Sequence, residues 1–247
     1  MSSPKPVLVL VHGWGMNARV FDALADRLDD RFDVRGFDLP GHGGRDAQAV
    51  NTLEAWADAL ADALPDDANL LGWSLGGQVA LRAALDHPRK VARLILVATT
   101  PRFVQRADWA SAMDAADLAA FGEALLADPA TTLQRFLSLQ TRGTPGQKAL
   151  LQHLRQALRE APEPDRVALA AGLAILRDTD LRGDVLRLTH PTLVLHGALD
   201  TLTPAAAGAW LAANLRAARH VELERAAHAP HLSHPDDVAR EIERFCL

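Results

Sequence analysis

The sequence predicts an α/β fold: a mostly parallel sheet of about six strands, helices on both faces, and a helical cap inserted into it. Three observations predict this. Short apolar, β-branched runs recur along the chain, helix-periodic segments separate most of them, and one long stretch carries helical patterning without a strand.

The runs are Val7 to Val11, Phe32 to Phe37, Asn69 to Leu71, Leu94 to Ala98, Thr192 to Leu195 and Val221 to Leu223. Helical periodicity lies between them at Val20 to Leu28, Leu53 to Leu64 and Gln78 to Leu85. The rhythm breaks after the fourth run, where helix-like stretches cover Ala107 to Leu126, Thr131 to Leu139, Gln147 to Arg159 and Asp165 to Leu176. Gly143-Thr144-Pro145-Gly146 and Ala161-Pro162-Glu163-Pro164 punctuate them. Residues 1–100 and 190–247 therefore read as the core, and 101–189 as the cap.

Composition bounds the function. A chain of 247 residues buries a full core as one domain, and 49% hydrophobic with 23% charged residues excludes wholesale disorder. The net charge of −5 argues against a general nucleic-acid binder. Cys246 is the only cysteine, so the chain can form no internal disulfide and fits a reducing compartment. The run Val7 to Val11 is too short for a signal peptide, and none approaches the ~20 residues of a membrane span. A cytoplasmic location is expected.

Ser74 sits in Gly72-Trp73-Ser74-Leu75-Gly76-Gly77, after an apolar run and before a helical stretch. That is the context of a nucleophile elbow, where glycines let a strained strand-to-helix turn lift a hydroxyl into the open. The pattern alone is weak, since Gly and Ser are common. The other loops strengthen it. In a parallel sheet the residues following each strand lie along one edge. The first strand is followed by His12-Gly13-Trp14-Gly15, the third by Ser74, the fifth by Asp200 and the sixth by His228. The chain order Ser, Asp, His is that of α/β-hydrolases.

Each assignment competes with a structural role. Asp200 could cap a helix, although Thr203-Pro204 already offers a cap and a first-turn proline. His228 competes with His231 and His234 and lies nearest the end of its strand. His12 reads as a structural histidine that shapes the glycine-rich loop, and His42 as a turn residue.

With these placements, His228 takes the Ser74 proton, Asp200 holds the imidazole tautomer, and Ser74 attacks an acyl carbon. The backbone N–H groups of Trp14 and Leu75 are the expected oxyanion donors, each worth about 3 to 4 kcal/mol in the transition state. Their side chains are expected to wall the acyl pocket. The ten histidines show no metal-ligand spacing and no phosphate-binding glycine motif is present, so neither metal nor cofactor is expected.

Thr131 to Arg159 holds Arg135, Arg142, Lys148, Arg155 and Arg159 with no Asp or Glu. Lys148, Arg155 and Arg159, spaced by seven and four, share one helical face. From charge alone this is either a dock for an anionic partner or a solvated face.

The chain resembles the α/β-hydrolase superfamily throughout, and within it the carboxylesterases that demethylate pimeloyl-acyl carrier protein in biotin synthesis. The resemblance rests on His12-Gly13-Trp14-Gly15-Met16-Asn17, the Ser74 motif, Arg135-Phe136-Leu137-Ser138-Leu139-Gln140-Thr141, and Ala226-Ala227-His228-Ala229-Pro230. It implies a methyl pimeloyl chain on acyl carrier protein as substrate, with methanol and the free acid as products. It further implies that Arg135, Arg142 and Lys148 hold the carrier and that Phe136 lines the acyl channel. Arg155 and Arg159 join them by charge and spacing. The acidic carrier is the expected partner of a monomeric chain, without nucleic acid or membrane.

Two departures stand out. Only six residues precede the first run, so the antiparallel strands that usually open this superfamily are expected to be missing. His231 replaces an expected aromatic or apolar residue, which is expected to alter the pocket rim or the titration of His228. Rival readings are a short-chain carboxylesterase, lactonase or C–C bond hydrolase, and a non-catalytic ligand-binding homologue. An epoxide hydrolase or dehalogenase would need a carboxylate at position 74.

Overall fold

The computed structural model describes residues 4–247. In chain order the elements are β1 (Val7–Val11), α1 (Asp22–Leu28), β2 (Asp33–Phe37), α2 (Leu53–Ala63), β3 (Ala68–Trp73), α3 (Leu75–Asp86) and β4 (Val91–Val97). Four cap helices follow: α4 (Ala115–Ala127), α5 (Pro129–Gln140), α6 (Gln147–Arg159) and α7 (Arg166–Asp178). The chain closes with β5 (Thr192–Gly197), α8 (Ala205–Asn214), β6 (Ala218–Leu223), α9 (Pro230–Ser233) and α10 (Pro235–Cys246).

The six strands form one sheet in the order β2-β1-β3-β4-β5-β6, and every adjacent pair is parallel. Interior strands are apolar on both faces because helices cover both. Successive side chains alternate between the two layers: Leu8 and Leu10 of β1 join the core with α1 and α10, while Val9 and Val11 join the core with α2, α3 and the cap.

The sheet departs from the sequence expectation at strand ends. β4 starts at Val91 and edge strand β6 at Ala218, because the polar residues Arg93, Arg219 and His220 interrupt the apolar runs and hide the strand signal. A larger correction concerns the first cap helix, expected from Ala107. Residues 104–113 instead form a tight excursion with bridges between Val104 and Met113 and between Arg106 and Trp109. The Trp109 indole N–H donates to the Arg102 carbonyl at 2.9 Å. The helix starts only after Asp114, whose carboxylate accepts from the Ala116 amide at 2.7 Å.

Candidate active site

The turn between β3 and α3 carries Ser74 at φ 56°, ψ −121°, the left-handed side of backbone space that costs an L-residue strain. The flanking glycines make this turn possible. A Cβ on Gly72 would lie 2.4 Å from the Gly76 carbonyl oxygen, and one on Gly76 would lie 2.4 Å from the carbonyl oxygens of Val11 and His12. The end of β4 braces the turn: the Ser74 amide donates to Val97 O at 3.0 Å, and the Thr99 hydroxyl donates to Ser74 O at 2.6 Å.

The loops after β5 and β6 meet this turn. His228 Nε2 is 2.9 Å from Ser74 Oγ, and His228 Nδ1 is 2.8 Å from Asp200 Oδ2. All three side chains are buried, Ser74 least so at 7% exposure. Burial pushes the Asp200 carboxyl upward, but the attraction and hydrogen bond of His228, together with His196 and the Thr203 amide, leave it net below the usual carboxylate range. Asp200 does not cap a helix. Its Oδ1 accepts from the amides of Leu202 at 2.9 Å and Thr203 at 3.0 Å. Nor does Thr203 cap α8: its hydroxyl lies 2.7 Å from Asp200 Oδ2 and 3.0 Å from Ala98 O.

His12 is tied to the loops. Its Nδ1–H donates to Gly13 O at 2.8 Å, and its Nε2 accepts from the Leu39 amide at 3.0 Å. Burial lowers its pKa to about 4, so it is a neutral strut. The glycine-rich loop abuts the Ser74 turn, since a Cβ on Gly13 would lie 3.2 Å from Ser74 Cβ. Among the described residues, neither the Trp14 nor the Leu75 amide donates to a protein acceptor, which leaves both available to an oxyanion.

The cap closes over this loop. Trp14 donates its indole N–H to Leu169 O on α7 at 2.8 Å, and Asn17 Nδ2 donates to Ala157 O on α6 at 3.0 Å. Between α5 and α6, the Thr144 hydroxyl accepts from the Ala227 amide, next to His228, at 3.1 Å.

A cavity of about 290 Å³ lies between cap and core, bordered by Trp14, Phe103, Phe121, Phe136, Leu173 and Arg142, with Leu202 beside the Asp200 loop. Phe136 and Trp14 meet edge to face at 5.1 Å. Ser74 and His228 do not border the cavity themselves. Leu75 also lies outside the lining, contrary to expectation: its side chain is fully buried, near Gly172 of α7.

Arg135, Arg142, Lys148 and Arg159 are exposed, and none of the five cap cations pairs with a carboxylate among the described residues. They do not form one uniform surface. Arg142 reaches the cavity, Arg155 is half-buried and donates to Gln134 Oε1 at 2.7 Å, and Arg159 borders a separate groove with Leu133 and Arg166.

His231 is not on the pocket rim. It is fully buried between Phe21, 4.9 Å away, and Trp73, 4.5 Å away, and neither ring nitrogen has a hydrogen-bond partner among the described residues. It fills the place of an aromatic ring, and burial lowers its pKa to about 3. Sequence reasoning missed two contacts of the site: the Trp73 indole N–H donates to His228 O at 2.7 Å, and Thr203 binds Asp200. The aromatic before Ser74 was the visible signal for the first, whereas a lone threonine gave none for the second.

The fold and the hydrogen-bonded Ser–His–Asp array define a serine hydrolase of the α/β-hydrolase class. The family model described as alpha/beta hydrolase fold matches residues 6–238. Among curated relatives, the pimeloyl-[acyl-carrier protein] methyl ester esterase of Aromatoleum aromaticum is 45% identical over 244 residues, 97% of each chain. That of Nitrosomonas europaea is 42% identical over 231 residues, 94% of this chain and 92% of the relative. Among solved structures, an esterase from Exiguobacterium antarcticum aligns with a TM-score of 0.89 at 25% identity, over 99% of this chain and 92% of that one. An enol-lactonase from Burkholderia xenovorans, at 22% identity and TM-score 0.82 over 98% and 92% of the chains, shares the fold. The chain belongs to the α/β-hydrolase fold family and, within it, to the pimeloyl-[acyl-carrier protein] methyl ester esterases.

Proposed function

We propose that this chain hydrolyses the methyl ester of a pimeloyl group carried on acyl carrier protein, a step of biotin synthesis. The carrying observation is the Ser74–His228–Asp200 array, at 2.9 and 2.8 Å, inside a chain 45% identical to an esterase named for that substrate.

His228 Nε2 accepts the Ser74 proton as Oγ attacks the ester carbonyl, and Asp200 stabilises the imidazolium that forms. The amides of Trp14 and Leu75 receive the negative charge of the tetrahedral intermediate. His228 then protonates the departing methoxide, and methanol leaves. Water, deprotonated by His228, attacks the acyl-enzyme and releases the free acid with Ser74 restored. The sequence requires no cofactor.

Phe136 and Trp14 offer the acyl chain an apolar wall. Arg135, Arg142, Lys148, Arg155 and Arg159 face the acidic carrier, with Arg142 at the boundary between carrier and cavity. The cap is residues 101–189, set into a core of 1–100 and 190–247, and the enzyme acts as a cytoplasmic monomer.

The experiment compares kcat/KM on methyl pimeloyl-acyl carrier protein and on p-nitrophenyl butyrate. This reading expects the carrier-linked ester to be the better substrate. Turnover of butyrate without the carrier ester keeps the esterase and rejects the pimeloyl assignment. Loss of both would favour the ligand-binding homologue, a reading that the intact array opposes.

A further inference from the structure

Among the described residues, Thr203 is the one side chain besides His228 that hydrogen-bonds the acid of the array. Its Oγ1 lies 2.7 Å from Asp200 Oδ2 and 3.0 Å from the Ala98 carbonyl oxygen. A hydroxyl has one proton to give. The carboxylate is nearer and charged, so it is the stronger acceptor and takes that proton.

The same oxygen, Oδ2, accepts from His228 Nδ1 at 2.8 Å, and Thr203 Oγ1 itself stands 3.3 Å from that nitrogen. Oδ1 is held by two backbone amides, those of Leu202 and Thr203. Backbone donors on Oδ1 alone leave Oδ2 held only by the imidazole it must orient. The hydroxyl supplies a second, independent hold. Thr203 is itself anchored, since its carbonyl accepts from His196 Nε2 at 2.8 Å. The cluster is shut off from solvent: Thr203 is 1% exposed and His228 1%. A buried hydrogen bond to a charge is worth more than an exposed one.

We propose that Thr203 is a positioning residue for the reaction: its hydroxyl fixes the rotation of the Asp200 carboxylate, and through it the aim of His228 at Ser74. The inference rests on the assignment of Ser74, His228 and Asp200 as the reacting array. It does not depend on the identity of the ester.

The test uses the full chain and p-nitrophenyl butyrate, with Thr203→Val and Thr203→Ser each made in the native and the Asp200→Ala background. Thr203→Val is expected to lower kcat about tenfold, the effect of losing one hydrogen bond to a charged group, with KM within about twofold. Thr203→Ser restores kcat because the donor is kept. In the Asp200→Ala background Thr203→Val adds nothing, since the group it acts through is gone. Wild-type kcat in Thr203→Val, or an equal loss in both backgrounds, overturns the proposal. The thermal midpoint of Thr203→Val is recorded; if it does not fold, Thr203→Ala set against Thr203→Ser carries the same comparison. Ser74→Ala run in parallel separates the two claims. Full turnover in Ser74→Ala removes the array itself, whereas an inactive Ser74→Ala beside a wild-type Thr203→Val removes only the role of Thr203.

Discussion

The indole N–H of Trp73 donates to the carbonyl oxygen of His228 at 2.7 Å, so the residue before the reactive serine holds the backbone of the histidine that serves it. The two are 155 residues apart in sequence. The base is thereby located relative to the nucleophile by a direct bond as well as by the sheet.

Trp73→Phe keeps an aromatic ring against Phe21 and His231 but removes this donor. The His228 carbonyl is left buried without its partner, at a cost of about 1 to 3 kcal/mol in stability. The loop shifts by a fraction of an ångström, and kcat falls roughly tenfold with KM little changed. Denaturant titration and steady-state kinetics on a small ester measure the two effects. Unchanged kcat would show that the sheet alone suffices to place His228.

Cap and oxyanion loop are coupled at Gly172. A Cβ there would lie 2.7 Å from Trp14 Cδ1, so only glycine lets α7 close on the indole and accept its N–H at Leu169 O. Gly172→Ala is expected to lift α7 and disturb the Trp14 amide, reducing kcat by about tenfold or more, because oxyanion donors act only when correctly placed. Kinetics together with tryptophan fluorescence read this; a native spectrum and native kcat would contradict it.

Stability should depend on mildly acidic pH. Burial lowers the pKa of His12 and His42 to about 4 and that of His231 to about 3. These values lie below the ~6.5 of an unfolded histidine, so the unfolded chain takes up protons first as the pH falls. The stabilisation from keeping the rings neutral is fully present above about pH 6.5 and is lost as the pH drops toward the folded values, at about 1.4 kcal/mol per unit for each histidine. Urea midpoints measured between about pH 7 and pH 5 should fall steeply. His231→Phe should flatten the slope by one proton, and it removes two unpartnered ring nitrogens, Nδ1 and Nε2, from the core. A slope unaffected by that substitution would contradict this account of His231.

Charge reversal on the cap separates carrier recognition from chemistry. Lys148 is exposed and has no acidic partner among the described residues. Lys148→Glu should raise KM for the carrier-linked ester several-fold and leave hydrolysis of p-nitrophenyl butyrate unchanged, with the difference shrinking at high salt. Equal KM values for the carrier ester would place the docking surface elsewhere.

The array and the layer order were legible in the sequence because both follow from local rules. Buried parallel strands are continuous apolar runs, and glycines mark the Ser74 turn. Asp200 and His228 lie just after such runs. What stayed hidden depends on packing between distant segments. Arg93, Arg219 and His220 masked strand ends because strand pairing tolerates polar side chains at half-buried and exposed positions. Residues 104–113 carry helix-compatible residues but are pulled into bridges, with Trp109 bound to the Arg102 carbonyl. His231 could be placed between Phe21 and Trp73 only once the helices after β6 were packed. Thr203 looked like a helix cap because Pro204 follows it, and only the fold shows that its hydroxyl turns to Asp200.

The central claim is that Ser74 removes a methyl group from a carrier-linked pimeloyl ester. Mass spectrometry of methyl pimeloyl-acyl carrier protein incubated with the enzyme, and with Ser74→Ala, tests it most directly. The account predicts loss of one methylene mass from the carrier adduct with the native chain and none with Ser74→Ala. An unchanged adduct with a native chain that still hydrolyses small esters, or demethylation by Ser74→Ala, would contradict it.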